Sequence, residues 1–303
     1  MPEQAANTAA VVVMYRQLGE LESKLQTLRL AVQWILVIDN REQAIDGLKN
    51  LAARTGVAYL HAANVGGLAG AYNRALAWLG KQHPQASQVT FLDEDSDPAA
   101  LPAFLADAQT QKSLSDPQTA AVSPAYRDRA TGLRGRYMWL RRFKLGFNPR
   151  EFDDLREVAF VINSMAVWRL PALRQLGAFN EALAVDHVDT EYCLRARQQG
   201  LHLYVNGRFE FPHSIGERRR YRFFGMEVQA GGHSPARRFM IARNTVWLAR
   251  RWAWKEPAFA ALCLMRLGYE AVGIVAAEDR SATKLWSLLR GVARGLFWPM
   301  RSR

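Results

Sequence analysis

Two stretches of this 303-residue chain crowd acids together. The apolar run Val89-Thr90-Phe91-Leu92 leads directly into Asp93-Glu94-Asp95-Ser96-Asp97, and Asp186-His187-Val188-Asp189-Thr190-Glu191 lies far downstream. Carboxylates packed at the end of a buried strand repel one another, so such a cluster persists where something positive sits among them. Oxygen donors of this kind suit a hard divalent cation, Mg²⁺ or Mn²⁺. The chemistry this suggests is metal-assisted and acts on a phosphate-bearing substrate.

For such acids to act together, the chain has to carry separate segments to one edge. Ala9 to Tyr15, Trp34 to Asn40, Val57 to Leu60 and Gln88 to Leu92 read as strands, the first two as continuous apolar runs of the buried parallel kind. Between them, Leu18 to Leu30 and Ala44 to Ala53 read as helices, and the glycine loop Asn64 to Gly70 leads into a third over Ala71 to Leu79. This alternation predicts an α/β fold whose sheet is mostly parallel and flanked by helices. Ligands of such sheets bind beyond the carboxyl ends of the strands, where Tyr15-Arg16, Asp39-Asn40 and Asp93-Glu94-Asp95 all fall.

Further strands are expected at Ala120 to Ser123, Glu157 to Asn163 and Leu201 to Val205, with a basic, mobile or inserted hairpin over Arg127 to Arg150. Short helices are expected over Pro171 to Leu176 and Val188 to Gln199. From about Ile215 the character turns basic and aromatic, with helices over Arg237 to Trp254, Ala258 to Val275 and Thr283 to Phe297. The reading is a catalytic domain over residues 1–215 and a helical appendage over 216–303 that packs on it.

A hydrophobic content of 49% supplies a sizeable core, and a net charge of +12 points to an acidic partner: phosphate, an anionic membrane surface or nucleic acid. The only cysteines are Cys193 and Cys263, which make no metal-like spacing, so a reducing cytoplasm is expected. No leader is expected, and no stretch is read as reaching the length of a transmembrane helix, roughly 18 to 20 apolar residues. The expected location is cytoplasmic, peripheral at the inner face of the cytoplasmic membrane.

The ordered set of segments resembles a known family. Val37-Ile38-Asp39-Asn40, Asn64-Val65-Gly66-Gly67-Leu68-Ala69-Gly70-Ala71-Tyr72-Asn73 and Leu92-Asp93-Glu94-Asp95-Ser96 come in family order. Phe179-Asn180-Glu181, the 188–197 segment, His213-Ser214-Ile215-Gly216-Glu217 and Arg243-Asn244 follow. Together they are similar to the inverting family 2 glycosyltransferases of GT-A fold, nearest to the bacterial rhamnosyltransferase-like enzymes. The resemblance covers roughly residues 9 to 250.

It implies roles residue by residue. Asp93 and Asp95 match the DxD element, Asp95 binding the divalent metal and Asp93 contacting the nucleotide. Tyr15, Asp39, Asn40, Asn64, Gly66 and Asn73 would line the nucleotide pocket; capping is the plainer reading of Asp39 and Asn40. His213 would be a second metal ligand. Asp189 is the expected base, taking the acceptor hydroxyl proton during in-line attack, with Asp186 and Glu191 as rivals. Asn163, Ser164, Glu191 and Arg243 are expected to bind donor or acceptor, although Glu191 four residues before Arg195 also reads as a structural ion pair. Arg218, Arg219, Arg220 and Arg222 could fold over a diphosphate or simply be solvated.

The activity implied is metal-dependent transfer of a sugar from a dTDP- or UDP-linked donor to a saccharide or lipid-linked acceptor. The donor expected first is dTDP-L-rhamnose; a UDP-sugar such as UDP-galactofuranose, or a non-catalytic membrane-associated scaffold, are the alternatives. Nucleic acid is not expected as a partner, because no recognition motif accompanies the charge and acid clusters repel phosphate. The last helix carries Lys284, Arg290 and Arg294 beside Trp286, Leu289 and Phe297, a pattern suited to an anionic membrane surface or to packing.

Overall fold

The computed structural model describes residues 7–16, 19–184, 186–213, 219–223, 226–230 and 232–299, the 219–230 pieces by backbone alone. The chain divides into two compact units, one of Met1–Tyr137 with Asn148–His213 and one of Met138–Phe147 with Ser214–Arg303.

The first unit is built on an eight-stranded sheet of order β3-β2-β1-β4-β9-β5-β10-β8. Its members are β1 (Thr8–Met14), β2 (Trp34–Asp39), β3 (Ala58–His61), β4 (Gln88–Asp93), β5 (Thr119–Asp128), β8 (Leu155–Glu157), β9 (Val167–Arg169) and β10 (His202–His213). β1 pairs in parallel with β2 and β4, and β5 with β10, while β9 runs antiparallel to both β4 and β5. β1 is buried along its whole length, as expected of a strand with helices on both faces. Helices α1 (Leu21–Arg29), α2 (Leu48–Thr55), α3 (Gly67–Gln82), α4 (Leu101–Ala106), α5 (Ala108–Ser115), α6 (Leu170–Leu176) and α7 (Val188–Gln198) complete the unit. α1 seats Leu21, Leu25 and Leu28 in the core, the i, i+4, i+7 spacing of one helical face.

This topology decides which segments meet. β1, β2, β4, β5 and β10 end at the same sheet edge, so Met14, Asp39, Asp93, Asp128 and His213 share it. Because β9 is reversed, the residues that enter it, Asn163 and Ser164, come to that edge too, and Ser164 bridges to Phe91.

Two expectations for this unit differ from what forms. Glu157 to Asn163 does not continue as a strand: only Leu155–Glu157 pairs, antiparallel to β10, and 158–163 is buried irregular chain. β10 is far longer than Leu201 to Val205 because a break in register between Asn206 and Glu210 lets it resume pairing with β5 and run on to His213. β9, α4 and α5 have no counterpart among the expected elements.

The second unit contains the hairpin β6 (Met138–Arg141) and β7 (Lys144–Phe147), the hairpin β11 (Arg219–Phe223) and β12 (Met226–Ala230), and helices α8 (Pro235–Trp252), α9 (Pro257–Ala277) and α10 (Ser281–Phe297). α10 lies close on α8: a Cβ at Gly291 would stand 2.4 Å from the Phe239 carbonyl, and one at Gly295 2.6 Å from that of Arg243. Contrary to expectation, among the described residues one helix is long and apolar enough to cross a membrane by length and composition: Pro257–Ala276, of which 22% of the apolar window is buried. Arg266 and Glu270 divide its sequence into two runs that each look too short, yet the whole passes.

Candidate functional site

The residues at the sheet edge are held by a small number of hydrogen bonds. Beyond β1, the backbone N–H groups of Tyr15 and Arg16 both donate to Glu94 Oε2, at 3.0 and 2.8 Å. Glu94, the middle acid of the cluster, therefore ties the end of β1 to the end of β4. Asn40 Nδ2 donates to the Tyr15 hydroxyl (2.7 Å) and to the Gly67 carbonyl (3.2 Å), while Asn40 Oδ1 is buried without a partner. Burial pushes the Tyr15 phenol up to about 12, against the bond from Asn40, so it stays neutral.

Asp93 and Asp95 leave β4 in a turn whose Ser96 hydroxyl accepts from the Asp93 N–H (3.0 Å) and meets the Ser164 hydroxyl at 2.5 Å. Ser164 thus locks the acidic turn to the segment entering β9. Asp95 is exposed, and its carbonyl accepts from Arg129 Nη2 at 3.2 Å. Asp189 sits in the first turn of α7. Its Oδ2 accepts from the Asn163 N–H (3.3 Å), and its Oδ1 is closed off from water with no partner, although other atoms of the residue remain part-exposed.

The electrostatics follow from this crowding. Burial, then the charges of Asp189, Asp95 and Glu94, push Asp93 up to about 7. Burial also pushes Asp189 up to about 6, with the Asn163 N–H opposing. His213 ends β10, and burial holds its imidazole below its ordinary value even though Asp95 pulls the other way. A neutral imidazole with a lone pair is the form that ligates a metal. His213 Nδ1 is buried with no partner.

Beneath this edge lies an aromatic floor. Phe179 stacks on Tyr192 with ring centres 3.8 Å apart, and Tyr72 meets Phe91 at 4.3 Å and Phe179 at 5.2 Å. Around it, non-glycine residues adopt left-handed backbone: Asn64, Met165, Ala184 and His187. Such conformations persist where the surroundings over-determine them and gather at functional sites.

The site therefore unites Tyr15, Asn40, Asp93, Asp95, Asn163, Ser164, Asp189 and His213. Other residues expected there are used as struts. Asp39 is fully buried, its Oδ2 accepting from the Ile45 N–H (2.7 Å) and the Tyr59 hydroxyl (3.1 Å), so it holds the turn after β2. Asn73 donates to the Phe179 carbonyl and to Glu181, and accepts from the Phe179 N–H, so its amide is committed to α3 and the 179–181 segment. Glu191 is 2% exposed and pairs with Arg195, which also donates to the Leu176 and Ala178 carbonyls. Gly66 is needed because a Cβ would meet Glu181 at 2.3 Å in a left-handed turn, and Asn64 is an exposed residue of that turn. Arg243 belongs to α8 of the second unit, where its guanidinium lies 4.0 Å from the Trp298 ring. Ser214 to Arg218 lie outside the described residues, and of Arg219, Arg220 and Arg222 only the backbone is described.

One participant, Arg129, and one contact, that of Ser96 with Ser164, escape sequence reading. Arg129 reaches the Asp95 carbonyl because β5 ends at the same sheet edge as β4, and the Ser96–Ser164 contact joins residues 68 positions apart.

No protein-family model matches the chain. Among solved structures, it superposes on GalNAc-T7, crystallised with UDP, GalNAc and Mn²⁺, with a TM-score of 0.54 over 91% of this chain and 57% of that one, at 13% identity. The protein has the GT-A glycosyltransferase fold. Within that GT-A frame, a 76-residue segment is 33% identical to the dTDP-rhamnosyl transferase RfbF of Shigella flexneri, a match spanning 25% of each chain. Glucosyl-3-phosphoglycerate synthase of Mycobacterium tuberculosis shares 19% identity over 40% of this chain, with a TM-score of 0.31, below the level that marks a common fold. The GT-A chain described here thus spans little more than half of GalNAc-T7, and its match a quarter of RfbF.

Proposed function

We propose that the protein is an inverting, divalent-metal-dependent glycosyltransferase that moves L-rhamnose from dTDP-L-rhamnose to a saccharide or lipid-linked acceptor. The observation that carries the reading is the meeting of Asp93, Asp95, Asp189 and His213 at one edge of a GT-A sheet, with Asp189 Oδ1 and His213 Nδ1 both buried and unpartnered.

The residues present fit a divalent cation held jointly with a ligand. Asp95 and His213 offer two donors near enough to feel each other's charge, and His213 keeps a free lone pair. Among the described residues, no group of three or more His, Cys, Asp or Glu side chains could hold a metal alone. Diphosphate oxygens would complete the shell. When bound, the cation would neutralise charge developing on the departing nucleoside diphosphate.

The chain's own residues would supply the rest. The Asp189 carboxylate takes the acceptor hydroxyl proton as that oxygen attacks the anomeric carbon. The bond from that carbon to the diphosphate oxygen breaks, and the leaving group departs with the electron pair, inverting the centre. A carboxylate titrating near 6 is largely ionised at neutral pH yet more basic than an ordinary aspartate, as a general base requires. The Asn163 N–H orients it. Asn40 and Tyr15 present a neutral, fixed wall for the nucleotide.

Support for the rhamnosyl donor is the RfbF match, which concerns a quarter of the chain. Melting temperature with dTDP, UDP, GDP, CMP or ADP, each with Mn²⁺, Mg²⁺ or EDTA, tests the reading, since a ligand that binds only folded protein raises it. A metal-dependent rise with dTDP that Asp95→Ala abolishes is expected. A rise with UDP alone moves the donor to a UDP-sugar, and no rise with any nucleotide leaves the scaffold reading.

A further inference from the structure

The positive charge of this protein is concentrated in one unit. Residues 138–147 and 214–303 contain 20 Lys and Arg against 6 Asp and Glu, a net +14, whereas the rest of the chain contains 20 against 22, a net −2. An asymmetry this large marks the second unit as the part that meets an anionic surface.

The same unit leaves large apolar side chains uncovered. On α9, Leu264, Met265, Tyr269, Val272 and Val275 are exposed. At 3.6 residues per turn they fall within an arc of about 140°, opposite the arc holding Phe259, Cys263 and Ile274. On α10, Trp286, Leu289, Leu296 and Phe297 are exposed within an arc of about 100°, with exposed Arg290 about 20° and exposed Arg294 about 60° beyond one edge of it. Trp254, in the α8–α9 turn, is 89% exposed. Phe143, 72% exposed, sits at the β6–β7 tip, whose Arg142 carbonyl accepts from the Ala258 N–H at the start of α9. Patches this rich in aromatic and aliphatic residues, edged by arginine, are the composition of interfacial helices.

Although α9 is long enough to cross a bilayer, its ion pairs oppose it. Glu270, in mid-helix, pairs with the buried Arg238 of α8, and Glu278 pairs with both Arg238 and Lys284 of α10. Spanning would draw Arg266 and Glu270 into hydrocarbon and strip Arg238 of a partner.

We propose that the second unit is a membrane-docking module. α9 and α10 lay their uncovered apolar faces into the headgroup layer of an anionic bilayer without crossing it, and Arg290 and Arg294 meet lipid phosphates. A protein partner would match the apolar faces but would not account for a net charge of +14 on this unit alone. The proposal stands independently of the transferase reading.

Vesicle flotation with the full chain tests it. Wild type is expected to float with phosphatidylcholine vesicles containing phosphatidylglycerol and much less with phosphatidylcholine alone. Raising salt from ~0.1 M to ~1 M should weaken binding, as the screening length shrinks from about 10 Å to about 3 Å. Trp286→Ser with Phe297→Ser, and separately Arg290→Gln with Arg294→Gln, should each lower apparent affinity by about tenfold or more, since one arginine near an anionic surface is worth about fivefold. Circular dichroism and melting temperature should stay at wild-type values, because these side chains are exposed. Failure of wild type to float with anionic vesicles, or variants that float equally well, overturns the proposal. So does self-association that the Trp286/Phe297 variant abolishes without any flotation, which would assign the face to a second copy. Bound protein that resists a high-salt alkaline wash would overturn the interfacial placement in favour of spanning.

Discussion

Replacing Asp189 by asparagine should remove activity and, above neutral pH, make the protein more stable. The carboxyl titrates at about 6 in the folded chain against 3.8 when exposed, because burial disfavours its charge. A raised carboxyl pKa means the folded state holds the proton more tightly than the unfolded state does. The penalty is therefore absent below about pH 4, grows between about 4 and 6, and is fully present above, where it amounts to about 3 kcal/mol. Asparagine keeps an oxygen to accept from the Asn163 N–H, but its amide hydrogens occupy the place of Oδ1, which has no partner. That mismatch costs about 1 kcal/mol at every pH. The expected outcome is a variant less stable than wild type by about 1 kcal/mol near pH 4 and more stable by about 1 to 2 kcal/mol at pH 8. Removing the charge also relieves Asp93, whose own titration should move down from about 7. Urea unfolding of the metal-free protein in EDTA across this range measures the difference directly. A stability difference that does not vary with pH would refute the argument that burial strains this carboxylate. Turnover should fall about 10²- to 10⁴-fold, as for loss of a general base, while nucleotide binding persists.

Other residues test the scaffold. Glu191→Gln should lower stability by about 1 to 3 kcal/mol through its pair with Arg195, yet leave nucleotide-dependent melting shifts at wild-type size; loss of those shifts would return Glu191 to the site. Glu210 receives Arg127 and the largely buried Arg134, and although burial pushes its carboxyl up, these two arginines hold it below its ordinary value. Its contribution is present above the unfolded pKa and lost as pH falls through the lower folded one. Glu210→Gln should therefore cost about 3 kcal/mol at pH 7, measured by urea unfolding, and less in acid. Gly70→Ala should destabilise by about 1 to 3 kcal/mol, because a Cβ would stand 2.0 Å from the Val65 carbonyl and force the 63–67 turn away from α3; an unchanged melting temperature would contradict this.

The first four strands and their order were legible because each is a run of buried apolar residues between helical spacings, and that pattern is local. Glu157 to Asn163 looked like another such run, yet most of it is irregular. Burial alone draws apolar residues inward, whereas a strand also needs a neighbour with free backbone groups. Glu191 and Asn73 carry the right residue types for a site, and the structure adds that they bond to Arg195 and to Phe179, partners that only packing supplies.

The sequence by itself determined the α/β class, the acids at the strand ends and the basic, aromatic character of the last ninety residues. These depend on periodicity and composition, which are properties of short windows. Tertiary structure alone decided that a reversed β9 carries Asn163 and Ser164 to the acidic turn, and that β10 resumes its pairing so that His213 reaches the same edge. It also decided that α9 keeps one apolar face bare. Each of these depends on which distant segments pair or pack, and the free energy of such contacts is set by neighbours that no local pattern encodes.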